Sequence, residues 1–179
     1  FVASNVNPDE TCIELVGGEN LEAKFADLPA GFRFSKTTPI FATNLALNER
    51  PKYITEEKHP EVAGAFMNIV GLETYEDLRD LFADCRTGQL PRKPVMNGAT
   101  PSLHDPTQAP PGKHTAFMWQ LAPYNLHGNP ANWDKVRDDW FARQLARWRE
   151  YAPNLSEDNI LSTNSTTPLD IERHHRNMY

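Results

Sequence analysis

The sequence predicts an α+β fold: a mixed, mainly antiparallel sheet of about five strands with helices packed on one face. Three observations lead there. Five runs carry strand character, most of them divided by connections with turn chemistry rather than by long crossovers. Three or four segments carry helical caps and stripes. The fifteen prolines in 179 residues interrupt the chain too often for a helical bundle.

Taken in order, Asn7-Pro8-Asp9-Glu10 opens a short helix, with Asn7 as cap, Pro8 in the first helical position and Glu10 completing a capping box. It carries Ile13, Leu15 and Val16 and stops at Gly17-Gly18. A second helical piece is expected from Leu21 to Leu28. Phe41, Thr43, Leu45 and Leu47 alternate with Ala42, Asn44, Ala46 and Asn48, the period of a half-buried strand. Glu49 to Pro60 is charged and bounded by proline, hence a surface loop, and Ala63 to Val70 reads as a strand. Thr74 and Asp77 have capping-box spacing ahead of the Leu78, Leu81, Phe82, Cys85 stripe, with Gly88 and Pro91 ending that helix. Pro94 to Ala99 is a short strand.

The organising stretch runs from Pro101 to Pro123. Its first half is a stiff, irregular connection, because proline fixes φ and pushes its predecessor towards extended geometry. Asp105-Pro106 and Pro111-Gly112 are turn formers, the latter suited to the centre of a type II turn. Thr115 to Ala122 is a strand that is apolar on both sides: Phe117, Trp119 and Leu121 point one way, Ala116, Met118, Gln120 and Ala122 the other. Asn129-Pro130 or Asn132 then caps the longest helix, which reaches Tyr151 with Trp133, Val136, Trp140, Phe141, Leu145 and Trp148 on one stripe. Such a stripe is core before it is a ligand box. Asn159 to Thr166 is a polar edge strand, and Thr167-Pro168-Leu169-Asp170 starts a last helix.

The totals narrow the class. Net charge is −6 with no basic cluster, which argues against nucleic acid and against an anionic membrane surface. Cys12 and Cys85 fit no metal or redox spacing and read as small buried hydrophobes of a reducing, cytoplasmic compartment. No apolar run approaches the ~20 residues that span a bilayer. The start at Phe1 in a strand-like Phe-Val-Ala-Ser and the stop at Tyr179 read as cut ends of a longer protein.

Catalytic motifs are mostly missing. There is no Gly-x-Gly-x-x-Gly, phosphate loop, Gly-x-Ser-x-Gly elbow or His-Glu-x-x-His pair. His174 and His175 point about 100° apart on a helix, so no metal is assigned. His104 and His114 flank the proline-rich turn and either converge or simply bond loop carbonyls. Asp105 is a turn-making residue rather than a general base. Arg173 belongs to a helix-surface or interdomain ion pair. If the aromatic helix covers Phe117, Trp119 and Leu121, then Ala116, Met118, Gln120 and Ala122 need a second cover. That cover is either an ordinary core layer or a partner or flat ligand roofed by soft and small side chains.

The segment Pro101-Ser-Leu-His-Asp-Pro-Thr-Gln-Ala-Pro-Pro-Gly-Lys-His114 resembles the Pro-Ser-x-x-Asp-Pro-x-x-Ala-Pro-Pro-Gly-x-His element of the phytoene desaturase-like flavoproteins. The closer branch is the pyridine nucleotide-disulphide oxidoreductase domain-containing protein 2 group. Phe1 to Asn5 with Pro8, Asn44-Leu-Ala-Leu47, Gly88 to Pro94, Ala122-Pro-Tyr124, Trp133-Asp134, Tyr151-Ala-Pro153 and Thr167 to Arg173 also match, so the likeness covers nearly the whole chain. Position 108 departs from it, with Gln in place of the common Leu.

The resemblance implies the substrate-binding (cap) domain of an FAD-dependent oxidoreductase of the amine oxidase/desaturase superfamily. There a mixed sheet roofs the flavin, and an apolar substrate passes a hydride to it. On this reading residues 1–8 leave the flavin domain, residues 9–166 form the substrate domain and residues 167–179 return. FAD would be bound mainly by segments outside this chain, its partner domain being the flavin-binding one, and the piece alone would be inactive. Met118, Gln120 and Ala116, with His104 or Tyr124 at a rim, are the substrate- or flavin-facing candidates; no catalytic residue is assigned. The competing expectation is a stand-alone interaction module that uses an exposed apolar sheet face for a protein or lipid, with homodimer formation as one outcome.

Overall fold

The computed structural model describes residues 3–8, 10–25 and 37–175. Five strands form one sheet: β1 (Ile40–Leu47), β2 (Asn68–Val70), β3 (Met96–Ala99), β4 (His114–Leu121) and β5 (Ile160–Thr166), in the order β2-β3-β4-β1-β5. Every pairing is antiparallel, so the expected mixed character is absent from these strands. Connections here are hairpins and returns, and none is the right-handed crossover that parallel neighbours require. β2 is shorter than expected. Pro60 starts a 3-10 turn, Pro60–Gly64, and the extended pairing begins only at Asn68.

Among the described residues, three α-helices accompany the sheet: α1 (Tyr75–Arg86), α2 (Trp133–Tyr151) and α3 (Pro168–His174). α1 and α3 both begin at capping boxes. The Thr74 hydroxyl accepts from the Asp77 N–H and the Thr167 hydroxyl from the Asp170 N–H, while each aspartate returns the bond to its cap residue. Asn129 caps a 3-10 turn, Pro130–Asn132, which leads into α2; Asn132 forms no side-chain cap. At the N-terminus, a π-helical turn spans Glu10–Leu15, its Thr11 N–H bonded to the Asn7 carbonyl, and Ile13, Leu15 and Val16 are exposed. The expected helix from Leu21 is a 3-10 turn, Ala23–Phe25, and its continuation to Leu28 lies outside the described residues, as do Phe1, Val2 and Tyr179.

The core lies between the sheet and α2, on the side opposite to the one expected. Trp148 and Leu145 of α2 meet Leu45, Leu47, Met96, Ala116 and Met118, and Trp133 and Trp140 meet Phe41, Ala122 and Leu126. Three tryptophans fill most of that layer, so the strand face beneath them must carry thin side chains, as Ala116, Met118 and Ala122 do. Phe117 and Trp119 on the same strand would overfill it. α1 lies at one end of the sheet, where Leu81 and Cys85 pack on Val95 and Leu121 while Leu78 and Phe82 stay at the surface.

Gly98 allows β3 to lie against β4. A Cβ there would sit 1.9 Å from the Phe117 carbonyl oxygen. α3 is braced to α2 by two charge pairs: Arg173 to Asp134 at 2.7 and 2.8 Å, and Arg137 to Asp170 at 2.7 and 2.8 Å.

Candidate functional site

The site is built by the side chains of β4, β1 and β5 that point away from α2. Register places Asn164, Asn44, Phe117 and Ala99 in one row across β5, β1, β4 and β3. The next row is Thr166, Ala42, Trp119, Asn97 and Ile69; on the other side lies Ser162, Ala46 and Thr115. None of these residues is ionisable, in a chain that is 23% charged. A sheet face meant for water alternates with charged and polar side chains, and an edge strand such as β5 ordinarily carries lysine. This face carries uncharged polar side chains but no charged one and no lysine. Trp119 is 39% exposed and Ile69 63%, and the Phe117 and Trp119 rings lie 4.7 Å apart.

The proline-rich stretch turns part of this face into a groove. Ser102 is buried, and its hydroxyl accepts from the Thr115 N–H at 3.1 Å and bonds His114 Nδ1 at 3.1 Å, pinning the start of the loop to the start of β4. Asp105 accepts from the Thr107 N–H and hydroxyl and from Gln108 Nε2. The Thr107 hydroxyl is the main cause that holds the Asp105 carboxyl below its ordinary range. Pro106 begins the 3-10 turn Pro106–Gln108. Pro111 and Gly112, the latter at φ 73°, form the centre of a turn closed by the Lys113 N–H on the Pro110 carbonyl. The resulting groove has a volume of about 370 Å³, with Asn44, Ala46, Thr115 and Phe117 as floor, Pro101 and Gln108 as one wall and Ser162 to Asn164 as the other.

Met118 and Gln120 lie on the other side; Ala116 packs into the core there as well, yet is also among the residues that border the groove. Met118 and Gln120 are each 1% exposed, and the second cover expected for them is α2 itself. Gln120 belongs to a buried chain there. The Thr43 hydroxyl donates to Gln144 Oε1 at 2.7 Å, and Gln144 Nε2 donates to Gln120 Oε1 at 2.7 Å. His104 and His114 take separate partners: the His104 ring meets Phe66 edge-on at 5.3 Å, whereas His114 bonds Ser102. Tyr124 is buried and its hydroxyl donates to Glu172 on α3. Burial, followed by that carboxylate, pushes its phenol up to about 12. It therefore serves as a strut between β4 and α3. Arg173 pairs with Asp134 within this chain.

Sequence reasoning missed Asn44, Phe117, Gln108 and Asn164 as residues lining the groove, and Trp119 as an exposed neighbour on the same face. Their signal was present: three strands whose outward positions hold no charge. Among the described residues no three His, Cys, Asp or Glu side chains gather as a metal-binding set, and no helix is long and apolar enough to cross a membrane. Cys12 and Cys85 are free thiols, and burial pushes the Cys85 thiol up to about 12, with Asp84 adding to the effect.

No family model matches the chain. Proteins named pyridine nucleotide-disulfide oxidoreductase domain-containing protein 2 are similar to it, with 28% identity in Mus musculus and 26% in Rattus norvegicus, over 96% of this chain in both cases. A limonene dehydrogenase component from Castellaniella defragrans is 30% identical over 74% of this chain. The chain spans about 30% of the length of the two mammalian proteins and 24% of the bacterial one. All three bear oxidoreductase names, and this chain is similar to a part of each.

Proposed function

We propose that this chain is the substrate-binding domain of an FAD-dependent, phytoene dehydrogenase-like oxidoreductase, and that its charge-free sheet face roofs the cavity in which an apolar substrate is oxidised. The carrying observation is the set of outward positions on β1, β4 and β5, uncharged throughout and centred on Phe117 and Trp119. Oxidoreductase names on the three relatives support the class of reaction.

The residues fit one part of the cofactor. Phe117 and Trp119, their rings tilted 32° to each other, offer an apolar aromatic surface to a neutral ring, and the sequence holds no glycine-rich phosphate turn. The pyrophosphate would therefore be held by the flavin-binding domain. When bound, the flavin supplies the hydride acceptor. The chain's own part is to orient the substrate against Phe117 and Trp119 and to keep water from the reacting bond, since an apolar, closed site excludes competing chemistry. A groove of about 370 Å³ is of small-molecule size.

The test uses protein expressed from the complete reading frame. It should show bound flavin in its visible spectrum, and Trp119→Glu should slow substrate-dependent flavin bleaching at least tenfold while the thermal midpoint stays within a few degrees. A complete protein without flavin, or bleaching indifferent to Trp119→Glu, would remove the proposal. In the first case the interaction-module reading takes over.

A further inference from the structure

We propose that the free edge of β5 is an interaction surface for a second copy of this chain, the two β5 strands pairing antiparallel about a two-fold axis at Thr163. Among the described residues the sheet ends in β2 on one side and in β5 on the other. The two edges differ. β2 is three residues long, Asn68–Val70, and shortness is one of the ways in which sheet edges are protected. β5 runs for seven residues, Ile160–Thr166, and β1 is its one partner strand among the described residues. Every second residue of β5 therefore turns its N–H and C=O away from the sheet. The usual guards are missing: Ile-Leu-Ser-Thr-Asn-Ser-Thr holds no lysine, no other charge and no proline. Its one irregularity, at Leu161, lies near the start, and Ser162 to Thr166 keep an unbroken register with Ala46 to Ala42. Leu161, Ser162, Thr163 and Asn164 are all exposed.

The chemistry of the edge selects its occupant. A row of unpaired backbone donors and acceptors is completed by another extended strand. Charge then selects a copy of this chain. The protein carries a net charge of −6, so two copies repel over most of their surfaces, and an edge without charge is where they can meet. Serine, threonine and asparagine side chains both donate and accept, which makes the strand complementary to itself. Antiparallel pairing also sets the acidic Glu157-Asp158 end of one strand beside the Thr166-Thr167 end of the other, whereas parallel pairing would place those acids side by side. An axis at Thr163 uses all seven residues, matching Ile160 with Thr166 of the copy and Ser162 with Asn164. Ser162 to Asn164 form one wall of the groove, so the second copy continues the sheet beyond that wall. The edge lies in the plane of the sheet, and pairing there is compatible with a cover over its face.

The test uses protein from the complete reading frame and sedimentation velocity over about 1–100 μM, the range expected of a small interface. A monomer–dimer equilibrium should appear within it, and Thr163→Lys should raise the dissociation constant about tenfold or more at an unchanged thermal midpoint. In a Cys12→Ser background, Thr163→Cys should give a disulfide-linked dimer on mild oxidation. Opposed residues of antiparallel strands hold their Cα atoms ~4.5–5.5 Å apart, within disulfide reach. The same background without Thr163→Cys should stay unlinked. A monomer throughout the range, a dimer indifferent to Thr163→Lys, or a Thr163→Cys variant that stays unlinked would overturn the inference. So would a dimer that Trp119→Glu dissolves and Thr163→Lys spares, which would move the contact to the aromatic face. Flavin content and bleaching are separate readouts, so each of these results leaves the proposed substrate role to its own test.

Discussion

Gln144 shows how much one polar residue in an apolar stripe can decide. It lies four residues after Trp140 and four before Trp148, on the buried side of α2, and links Thr43 on β1 to Gln120 on β4. Removing it strands a hydroxyl and a carboxamide oxygen with no water to turn to. Gln144→Leu should therefore cost about 2–4 kcal/mol in urea unfolding. The triple change Thr43→Val, Gln120→Leu, Gln144→Leu should recover most of that loss, because buried polar partners removed together leave nothing unsatisfied. An additive triple variant would show that the three side chains act independently. The amide in Gln120 that faces no acceptor works in the same direction. A lone polar residue in each of two apolar patterns was visible in the sequence; their pairing was not, since nothing local relates positions 120 and 144.

At the scale of elements, the caps were legible and the burial was not. Thr74 with Asp77 and Thr167 with Asp170 make the expected reciprocal bonds, because a cap needs only residues three apart. Asp77 also ties α1 to the loop before β3 through Lys93 at 3.0 Å. That ammonium, with the Thr74 N–H, lowers the Asp77 carboxyl from 3.8 to about 2. A depressed folded-state value stabilises above about pH 4 and loses its contribution as the pH falls through about 2. Amide exchange in α1 should accelerate across that window, ahead of exchange in α2, and Asp77→Asn should flatten the profile. Uniform acceleration in both helices, unaffected by Asp77→Asn, would count against this local role. Ala63 to Ala65 fell outside β2 for a reason equally local, the 3-10 turn that begins at Pro60.

For the molecule as a whole, the consequence of the layer arrangement is an uncovered aromatic face among the described residues. Separated from any covering domain, the chain should bind a hydrophobic dye such as ANS and tend to dimerise. Trp119→Glu should reduce dye fluorescence severalfold without lowering the unfolding free energy by more than about 1 kcal/mol, since Trp119 already meets solvent. Dye fluorescence unchanged by that substitution would place the apolar patch elsewhere, for instance at Phe66 and Met67 ahead of β2.

The sequence by itself determined the strands, the caps, the Pro111-Gly112 turn and the alternation along β4, all of which are set by neighbours within a few residues. It could not determine which side of β4 would be buried, because both sides are apolar, and Phe117, Trp119 and Leu121 look more like core than two alanines, a methionine and a glutamine do. Only the tertiary structure decided that. Three tryptophans on α2 fill the layer and leave room solely for the thinner face, so Phe117 and Trp119 are turned outward. Volume shared between two distant segments is a property of their packing, and no single stretch of sequence contains it.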